Sequence, residues 1–418
     1  MKIVHFNTFE GGGGAAKASL ALHRAMLDLD VDASLIVHRK TSADPTVIGG
    51  PPTRFGPFRK KLLPWVLSKL HHLWYRPLEV WTFGVFGNRS ITRQREVEDA
   101  DIISLSWVSW FLDIEAIGQL LKKNKPVVWT CYDMWPFTGG CHYDNLCGRY
   151  EISCGKCPVI RSNKANDVSH KTLQRKLRSW AEINLTIVTP SKWLANCAKK
   201  SSLFKEFQIN VIPNTVNLGL FKPWDKEFAR DILRLPQDKL LILAGALNIQ
   251  SDPRKGFHYL LKALTSISSE NIAKDIEIII AGSMSPQTPL QLDLPIHYLG
   301  FLHDEISMAL AYSAADIFVA PSMQDNLPNT IIESLACGTP CAAFDIGGMP
   351  DMIQHKRNGY LAAPFEAEDL AAGLVWMLNS TKRLNELSQD SRNKALQDYN
   401  PKKITDLHIQ IYKKLLSS

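Results

Sequence analysis

The chain has 418 residues, of which 45% are hydrophobic and 21% are charged, and its formal net charge is +7. This composition excludes a low-complexity disordered chain. A chain of this length is too long for one ordinary hydrophobic core, so two domains are predicted. The first residues lack a signal-peptide pattern and no apolar run approaches the roughly 18–20 residues that span a bilayer, which predicts a cytoplasmic protein.

The N-terminal half alternates between predicted strands and helices. Residues 2–8 are predicted to form a short strand that runs into a helix with apolar residues at helical spacing. Between them lie four consecutive glycines, Gly11, Gly12, Gly13 and Gly14. Further strands are predicted in residues 31–40, 99–107, 125–135 and, with a following helix, 185–201. This order is typical of a parallel, doubly wound sheet of the Rossmann-like kind.

A basic segment interrupts this pattern between Arg54 and Leu78. It carries aromatic and aliphatic side chains, six basic residues and no acidic residue. The basic residues are Arg54, Arg59, Lys60, Lys61, Lys69 and Arg76. Two interpretations are open. The segment either rests on an anionic membrane surface, as on the inner face of the plasma membrane, or packs as an ordinary helix on its own domain.

Four of the eight cysteines are clustered after the predicted strand 125–135. They are Cys141, Cys147, Cys154 and Cys157. Disulfides are disfavoured in a reducing cytoplasm, and the Cys154-Gly-Lys-Cys157 spacing is typical of a zinc knuckle, although the first pair is more widely spaced than usual. A structural zinc is the leading interpretation, and reduced thiols without a metal are the alternative.

The second half of the chain repeats the alternation of strands and helices. Residues 209–223, which are rich in Pro and Asn, are predicted to form a linker between the two domains. Strands are then predicted in residues 239–247, 276–284, 297–302, 316–322 and 339–345, with helices between them. The chain is therefore predicted to be an α/β protein with two Rossmann-like domains and a cleft between them.

Ligands of open parallel sheets bind beyond the carboxyl ends of the strands, so the loops that follow strands are the candidate site. Three such loops have unusual composition: Gly11–Gly14 after the first strand, 248–256 after the strand at 239–247, and 323–329 after the strand at 316–322.

The third loop contains two acids on either side of a predicted helix start. Asp325 precedes the helix, which is expected to begin near Asn329 and Thr330, and the free N–H groups of such an end favour a phosphate. Glu333 lies about one turn inside the helix, where a carboxylate can accept hydrogen bonds from two adjacent ribose hydroxyls. Taken alone, the two acids are better explained as a loop residue and a solvated helix residue.

Two further elements strengthen the interpretation of a phosphate site. Arg254 and Lys255 are adjacent cations in a loop before a helix, an arrangement suited to a diphosphate. Gly347 and Gly348 follow a predicted strand, where residues without side chains let backbone N–H groups approach a phosphate.

In this order, the elements resemble the retaining family-4 glycosyltransferases, which have the GT-B fold. The resemblance covers nearly the whole chain and includes VIPNTVNLGLFKP, RKGFHYLLKAL and ESLACGTPCAAFDIGGMPDMI. The family signature is two acids separated by seven residues, here Asp325 and Glu333, with aspartate in place of the first glutamate. The resemblance implies an acceptor-side domain of residues 1–205 with a returning C-terminal helix at about 396–418, and a donor domain of residues 206–395.

The resemblance also implies a role for each candidate residue. The cations at 254–255 would hold the diphosphate of a nucleotide-diphosphate sugar, and Glu333 would bind its ribose. Asp325 would face the transferred sugar, the glycines at 347–348 would lie near the phosphates, and Gly11–Gly14 would line the opposite wall of the cleft. Enzymes of this family retain the anomeric configuration and need no catalytic metal.

The segment WTCYDMWPFTGGCHY, residues 129–143, is similar to a narrower group of exopolysaccharide and O-antigen transferases. This implies a glycan or lipid-linked oligosaccharide acceptor in polysaccharide biosynthesis, with Tyr132 and Asp133 as acceptor-side candidates. The group usually has histidine at Tyr132 and tends to have it at Ser104 and Ser106. These departures leave a second interpretation open, a catalytically weak or inactive relative that acts as a binding or partner subunit.

Two other classes fit less well. The glycine-rich loop has the general composition of a dinucleotide-binding turn, but the strand at 31–40 ends in basic residues rather than in an acid that would bind a ribose. The basic residues match no recognised nucleic-acid-binding module, so no nucleic acid partner is expected.

Overall fold

A computed structural model describes residues 1–50, 81–85, 87, 89–180, 185–245, 252–282 and 292–417. The chain divides into two compact units: Met1–Ile212 with Thr405–Ser418 form unit 1, and Pro213–Ile404 form unit 2. The basic segment 54–78, with its predicted membrane contact, lies outside the described residues, as do residues 248–251 of the second candidate loop. None of the helices in the described part of the chain combines the length and apolar character that a bilayer crossing demands.

Unit 1 is built on a seven-stranded parallel sheet. Its strands are β1 (Lys2–Phe9), β2 (Asp32–Arg39), β3 (Val47–Gly49), β4 (Ile102–Leu105), β5 (Val127–Thr130), β6 (Leu185–Thr189) and β7 (Gln208–Val211). They lie in the order β3-β2-β1-β4-β5-β6-β7, so the winding reverses between β1 and β4. At this switch point Ile3 of β1 pairs with Ala33 on one side and Ile102 on the other. Ligands of doubly wound sheets bind at such a point.

Helices and short 3₁₀ turns connect these strands. The helices are α1 (Gly14–Leu27), α2 (Arg95–Asp99), α3 (Ile114–Leu121), α4 (Val168–Ser179) and α5 (Lys192–Lys200), and the 3₁₀ turns are Arg89–Arg93, Trp135–Phe137 and Arg149–Glu151. The side chains of Asp113, Asp167 and Ser191 accept backbone N–H groups at the starts of α3, α4 and α5. Such caps satisfy donors that a helix cannot satisfy internally, and they fix where each helix begins.

Unit 2 repeats the same winding with six parallel strands. They are β8 (Leu240–Gly245), β9 (Ile276–Ala281), β10 (Ile296–Gly300), β11 (Ile317–Ala320), β12 (Cys341–Phe344) and β13 (Gly359–Ala362). Their order is β10-β9-β8-β11-β12-β13, with the reversal between β8 and β11. Alternate residues of β8 serve two cores: Leu241 and Leu243 pack in one hydrophobic cluster, and Ile242 and Ala244 in another. This is the period-two alternation of a strand covered on both faces.

The unit 2 helices cover both faces of this sheet. They are α6 (Lys226–Leu233), α7 (Phe257–Ile267), α8 (Glu305–Ala314), α9 (Asn329–Ala336), α10 (Met349–Met352), α11 (Ala367–Leu378) and α12 (Thr381–Asp398), with 3₁₀ turns at Pro253–Lys255 and Asn271–Asp275. Leu260 of α7 packs with Ile242 in one core cluster, whereas Ile331 of α9 packs with Leu241 in the other.

The last helix, α13 (Pro401–Ser417), begins in unit 2 and ends in unit 1. Its residues His408 and Tyr412 are buried, and the Tyr412 hydroxyl donates to Ser104 Oγ of β4 at 3.4 Å. The predicted fold class is therefore confirmed: two Rossmann-like units, with the C-terminal helix returning to the first.

The predicted linker 209–223 was wrong in its first residues. Ile209 belongs to β7 and pairs with Ile187 of β6, so the sheet of unit 1 extends to Val211. The Pro- and Asn-rich composition that suggested a linker begins only at Pro213, and the preceding QINV segment can donate and accept the ladder hydrogen bonds of an edge strand.

Candidate functional site

The loops after β8 and β11 meet at the switch point of the unit 2 sheet. Lys255 Nζ lies 2.7 Å from Asp325 Oδ2, and Arg254 Nη1 lies 3.3 Å from the same oxygen. Arg254 Nη1 also donates to the Gln324 carbonyl at 2.8 Å. Three of the residues predicted from the sequence therefore form one cluster at the edge where ligands of this fold bind.

Two glycines allow this close approach. Gly256 has φ +67, and a Cβ there would lie 1.8 Å from the carbonyl oxygen of Pro321. Gly347 has φ +58, and a Cβ there would lie 2.3 Å from the carbonyl oxygen of Asp325. The N–H of Gly348 donates to that same carbonyl at 3.1 Å. The glycine pair thus packs on the backbone of Asp325, and the Gly348 N–H holds the Asp325 loop. The position of the pair near a phosphate stays a prediction.

The charges of this cluster are balanced within the protein. Asp325 is 7% exposed. Burial raises its pKa, but the charges of Lys255 and Arg254 outweigh burial and hold the pKa well below its usual range. Asp252 lies 3.1 Å from Arg254 Nη2, so two carboxylates match two cations. An incoming diphosphate would compete with Asp325 for both cations, and Lys255 can offer it further N–H donors because an ammonium has three.

Helix α9 begins at Asn329, where the sequence placed it, and Thr330 lies in its first turn. The residue before the helix, Pro328, makes no side-chain capping hydrogen bond, and the helix follows directly on the loop that carries Asp325. Asn214 Nδ2 donates to Asn329 Oδ1 at 2.8 Å and so fixes the start of the helix. Gly338 follows the last turn with φ +75, in agreement with the predicted helix end.

Glu333 is buried within α9 rather than solvated. It is 7% exposed, and one of its oxygens accepts a hydrogen bond from the Tyr312 hydroxyl at 3.1 Å. Burial and the charge of Glu333 raise the pKa of Tyr312, so the phenol stays a donor. Tyr312 was not predicted as a site residue, because nothing in the pattern of α8 distinguishes it from a core aromatic residue.

The glycine-rich loop lies at the switch point of unit 1. Gly11, Gly12 and Gly14 are exposed, and Gly14 begins α1. A Cβ at Gly11 would meet none of the described atoms within 4 Å. The preceding Glu10 accepts hydrogen bonds from Thr41 Oγ1 and the Ser42 N–H, both at 2.9 Å, which ties the loop to the segment after β2.

Asp133 is the centre of a buried polar cluster after β5. Its Oδ2 accepts from Trp107 Nε1 at 2.6 Å and lies 2.5 Å from His142 Nδ1, and its Oδ1 accepts from the Trp135 N–H at 2.9 Å. His142 Nε2 lies 2.9 Å from Thr82 Oγ1. Because a carboxylate only accepts hydrogen bonds, Nδ1 of His142 carries a proton. His142 was not among the predicted site residues, although it lies in the motif that carries Asp133.

Three aromatic rings lie beside this cluster, at the carboxyl ends of β1 and β4. Phe9 stacks on Trp107 with ring centroids 5.8 Å apart, and Trp110 packs edge-on against Trp107 at 5.3 Å. Phe9 is 37% exposed and Trp110 is 53% exposed, so these two aromatic rings present apolar faces to solvent. Trp110 also has φ +67, a strained conformation for a bulky residue. The signal in the sequence is the aromatic run SWVSWF, which overlaps the end of the predicted strand at 99–107.

Hydroxyl groups occupy the positions where the resembling transferases have histidine. Tyr132 is half-buried and hydrogen-bonded to the side chain of Ser106, and Ser104 accepts from Tyr412. Burial raises the pKa of Tyr132 well above its usual range, so Tyr132 is a neutral hydrogen-bonding group.

The four clustered cysteines all line one cavity of unit 1, and none forms a disulfide. Nevertheless, across the described ranges no group of three or more His, Cys, Asp or Glu side chains is arranged to hold a metal ion. The structural zinc therefore stays a prediction.

Residues 238–380, which lie in unit 2, match the family model described as Glycosyl transferases group 1. An uncharacterised glycosyltransferase of Methanocaldococcus jannaschii is 26% identical over 331 residues, which cover 74% of this chain and 81% of the relative. A UDP-Gal:alpha-D-GlcNAc-diphosphoundecaprenol alpha-1,3-galactosyltransferase of Escherichia coli is 27% identical over 49% of this chain, and the match spans 54% of that enzyme.

Solved structures resemble the chain over its whole length. Sucrose-phosphate synthase from Thermosynechococcus elongatus aligns with a TM-score of 0.67 and 19% identity over 100% of both chains. HepE of Anabaena, in complex with UDP-glucose, aligns with a TM-score of 0.66 and 15% identity over 99% of this chain and 100% of the other. At these low sequence identities, the alignments show a similarity of fold alone.

Two parallel-sheet units with these structural neighbours define an α/β protein of the GT-B fold. Residues 238–380 are similar to the group 1 glycosyl transferases, and the relatives are named as glycosyltransferases. Together these similarities support an enzyme of the glycosyltransferase class.

Proposed function

We propose that this glycosyltransferase is a retaining hexosyltransferase. It moves a sugar from a nucleotide-diphosphate sugar to a glycan or lipid-linked oligosaccharide acceptor in polysaccharide biosynthesis. The observation that carries the proposal is the convergence of Lys255, Arg254 and Asp325 at the switch point of the unit 2 sheet. The Anabaena neighbour, whose structure contains UDP-glucose, supports a uridine nucleotide as the first donor to test.

In this proposal unit 2 holds the donor. Lys255 and Arg254 bind the diphosphate after leaving part of their contact with Asp325, and the start of α9 at Asn329 and Thr330 adds a favourable dipole. Glu333 accepts the ribose hydroxyls while Tyr312 orients its carboxylate. Contact of the donor with Gly11–Gly14 remains a prediction from the resemblance.

The proposed chemistry needs charge stabilisation more than proton transfer by the protein. The bond between the anomeric carbon and the phosphate oxygen breaks, and the bond to the acceptor oxygen forms on the same face, which retains the configuration. The departing diphosphate takes the proton of the attacking hydroxyl. Lys255 and Arg254 offset the negative charge that develops on the diphosphate, and Asp325 stabilises the positive charge that develops on the sugar ring. A metal at the four cysteines would stabilise the fold and take no part in the transfer.

Unit 1 is proposed to hold the acceptor. The exposed faces of Phe9 and Trp110 suit the apolar faces of a pyranose ring. The Asp133–His142 pair lies beside Trp107 and is the proposed polar group for the hydroxyls of that sugar. The Escherichia coli relative is named for a diphosphoundecaprenol-linked acceptor, which supports a lipid-linked substrate. Residues 54–78 would bring the enzyme to the membrane surface that carries such a substrate.

The second candidate is a weak or inactive relative that binds nucleotide. The hydroxyl network of Tyr132 and Ser106 favours it, because a phenol cannot accept a proton near neutral pH as an imidazole can.

The experiment is a donor panel with the full chain. Uridine, guanosine and adenosine diphosphate hexoses are incubated with the protein and a short prenyl-diphosphate glycan, and transfer and donor hydrolysis are followed by mass spectrometry. Nucleotide binding is measured by calorimetry on wild type and Asp325→Asn. We expect one donor to be consumed by wild type and not by the variant. If both proteins bind nucleotide but neither transfers nor hydrolyses any donor, the second candidate, an inactive relative, is supported. If no nucleotide binds, both candidates are refuted.

A further inference from the structure

The cysteine cavity of unit 1 lies in an irregular part of the fold. Residues 131–167 connect β5 to α4 with only two short 3₁₀ turns, Trp135–Phe137 and Arg149–Glu151. Long connections without secondary structure of their own are uncommon in compact domains and need another source of order. Cys141, Cys147, Cys154 and Cys157 are spread through this connection, yet all four line the same cavity.

The backbone is already shaped around the sulfur atoms. The N–H of Arg149 donates to the Cys147 sulfur, that of Gly139 to the Cys154 sulfur, and those of Val159 and Ile160 to the Cys157 sulfur. Backbone donors aimed at the sulfur atoms hold these side chains in place at the cavity wall, as outer-shell hydrogen bonds orient the ligands of a metal.

The turn between the last two cysteines is held in an unusual conformation. Cys154 and Lys156 both have positive φ, +53 and +45, although neither is a glycine. The turn is fixed from outside, since the Lys156 N–H donates to the Lys164 carbonyl at 2.8 Å and the Cys157 N–H to Asp167 Oδ2 at 3.0 Å. It brings both sulfur atoms to the cavity, and backbone strain of this kind persists where a site requires it.

A buried cation lies against the same cysteines. The Lys176 side chain is completely buried, and its ammonium donates to the carbonyls of Trp135 and, at 3.0 Å, Thr138. It is close enough to the thiols of Cys141 and Cys154 for electrostatic interaction. Burial lowers the pKa of Lys176 to about 7, so its ammonium needs a compensating negative charge nearby to stay protonated. Four thiolates around a divalent cation carry a net charge of about −2, which Lys176 would partly offset.

We propose that Cys141, Cys147, Cys154 and Cys157 bind one zinc ion as a structural tetrathiolate, with Lys176 as its buried counter-charge. Binding releases the four thiol protons to solvent, because the ligands are thiolates. The thiols surround the cavity in the structure, and ligation draws them from its walls onto the metal. The zinc then orders the 131–167 connection and with it Asp133, and this inference is independent of which sugar the enzyme transfers.

The test is metal analysis of the full chain. The protein is made without a polyhistidine tag in zinc-supplemented medium, purified under reducing conditions and measured by inductively coupled plasma mass spectrometry. We expect about one zinc per chain in wild type. The Cys154→Ser and Cys147→Ser variants should lose most of it. The matched control is Cys197→Ser, a half-buried cysteine of unit 1 that does not line the cavity, and it should keep its zinc.

Two further measurements keep the proposal testable if the serine variants do not fold. Replacement of zinc by Co²⁺ in wild type should give the strong visible and near-ultraviolet absorption of a tetrahedral thiolate complex, and a chelator should lower the thermal unfolding temperature. Wild type with iron in place of zinc, with less than about 0.1 metal ion per chain, or with an octahedral Co²⁺ spectrum would refute the tetrathiolate zinc site.

Discussion

The two units share a winding but differ in chemistry at the point where the winding reverses. In unit 2 the switch point between β8 and β11 carries two cations, Arg254 and Lys255, beside a helix start. In unit 1 the switch point between β1 and β4 carries an open glycine loop, exposed aromatic rings and the buried Asp133–His142 pair. One topology thus presents a cationic edge in one unit and an apolar edge with hydrogen-bonding groups in the other. In the proposed function, the side chains and not the sheet therefore decide which ligand each unit binds.

The units also differ in where their histidines lie. His5, His23 and His408 of unit 1 are buried, and the rings of His5 and His23 are 5.7 Å apart. In unit 2, whose histidines all fall in the described ranges, His258, His303 and His355 are exposed and His297 is half-buried. Acid should therefore act on unit 1 before it acts on unit 2.

The largest expected effect on transfer activity comes from the two cations of unit 2, Arg254 and Lys255. Lys255→Ala should lower transfer by about 100- to 1,000-fold, because the leaving diphosphate loses a charged donor. Donor affinity should fall as well, measured by calorimetry with the nucleotide diphosphate.

The matched control is Lys274→Ala, which removes an exposed lysine at the amino edge of β9 in the same unit. It should leave both quantities unchanged. Equal donor affinity in wild type and Lys255→Ala would contradict the assignment of the donor to unit 2.

The next prediction concerns acid stability. Burial lowers the pKa of His23 and of His408 to about 4, and burial with the charges of His23 and His408 lowers the pKa of His5 well below its usual value. Since these folded-state pKa values lie below the unfolded value of about 6.5, the stabilisation is complete above pH 6.5 and is lost as the pH falls towards 4. The loss is at most about 3 kcal/mol for each histidine with a pKa near 4.

Hydrogen exchange read by mass spectrometry at pH 7 and pH 4.5 resolves the two units. Protection of β1 and α13 in unit 1 should fall before that of β8 and β11 in unit 2, where the depressed pKa of Asp325 keeps its ion pairs intact to lower pH. His408→Leu should reduce the acid sensitivity of unit 1, whereas His303→Leu should not. Simultaneous loss of protection in both units would remove this difference between them.

The Asp133–His142 pair of unit 1 should affect the rate of sugar transfer without affecting the affinity for the donor. Asp133→Asn leaves His142 without its charged partner and should lower transfer by about 10- to 100-fold, as measured for groups that orient another side chain. Nucleotide affinity should stay at the wild-type value. The exposed Asp99→Asn serves as the control, and a weakened nucleotide affinity in Asp133→Asn alone would argue that unit 1 also binds the donor.

The smallest effect is expected at the aromatic surface of unit 1. Trp110→Ala should raise the KM for the acceptor by about 5- to 10-fold, in line with about 1 kcal/mol for one aromatic contact. Trp110→Phe should restore most of the affinity. Because Trp110 is 53% exposed, the unfolding temperature should change little.

The matched control for this surface is Phe228→Ala, an exposed aromatic residue of unit 2. It should leave the acceptor KM unchanged. A KM that does not respond to Trp110→Ala would place the acceptor elsewhere.

The sequence was sufficient to predict the order of the strands and helices and the loops that form the candidate site. Hydrophobic runs bounded by Gly, Pro and Asn marked the strands, and the helix start at Asn329 and its end at Gly338 were both predicted, because capping and turn preferences act over a few residues. The first part of the predicted linker was wrong, because pairing with β6 decides that Ile209 is in a strand. Local composition does not contain that information.

Contacts between distant residues were decided only by the tertiary structure. Lys255 and Asp325 are seventy residues apart and meet because β8 and β11 are neighbours at the switch point. The pairing of Asp133 with His142 and the burial of Glu333 against Tyr312 likewise depend on the path of the chain. Propensity and periodicity act between near neighbours in sequence, whereas the charge, burial and partners of a site depend on which segments the fold brings together.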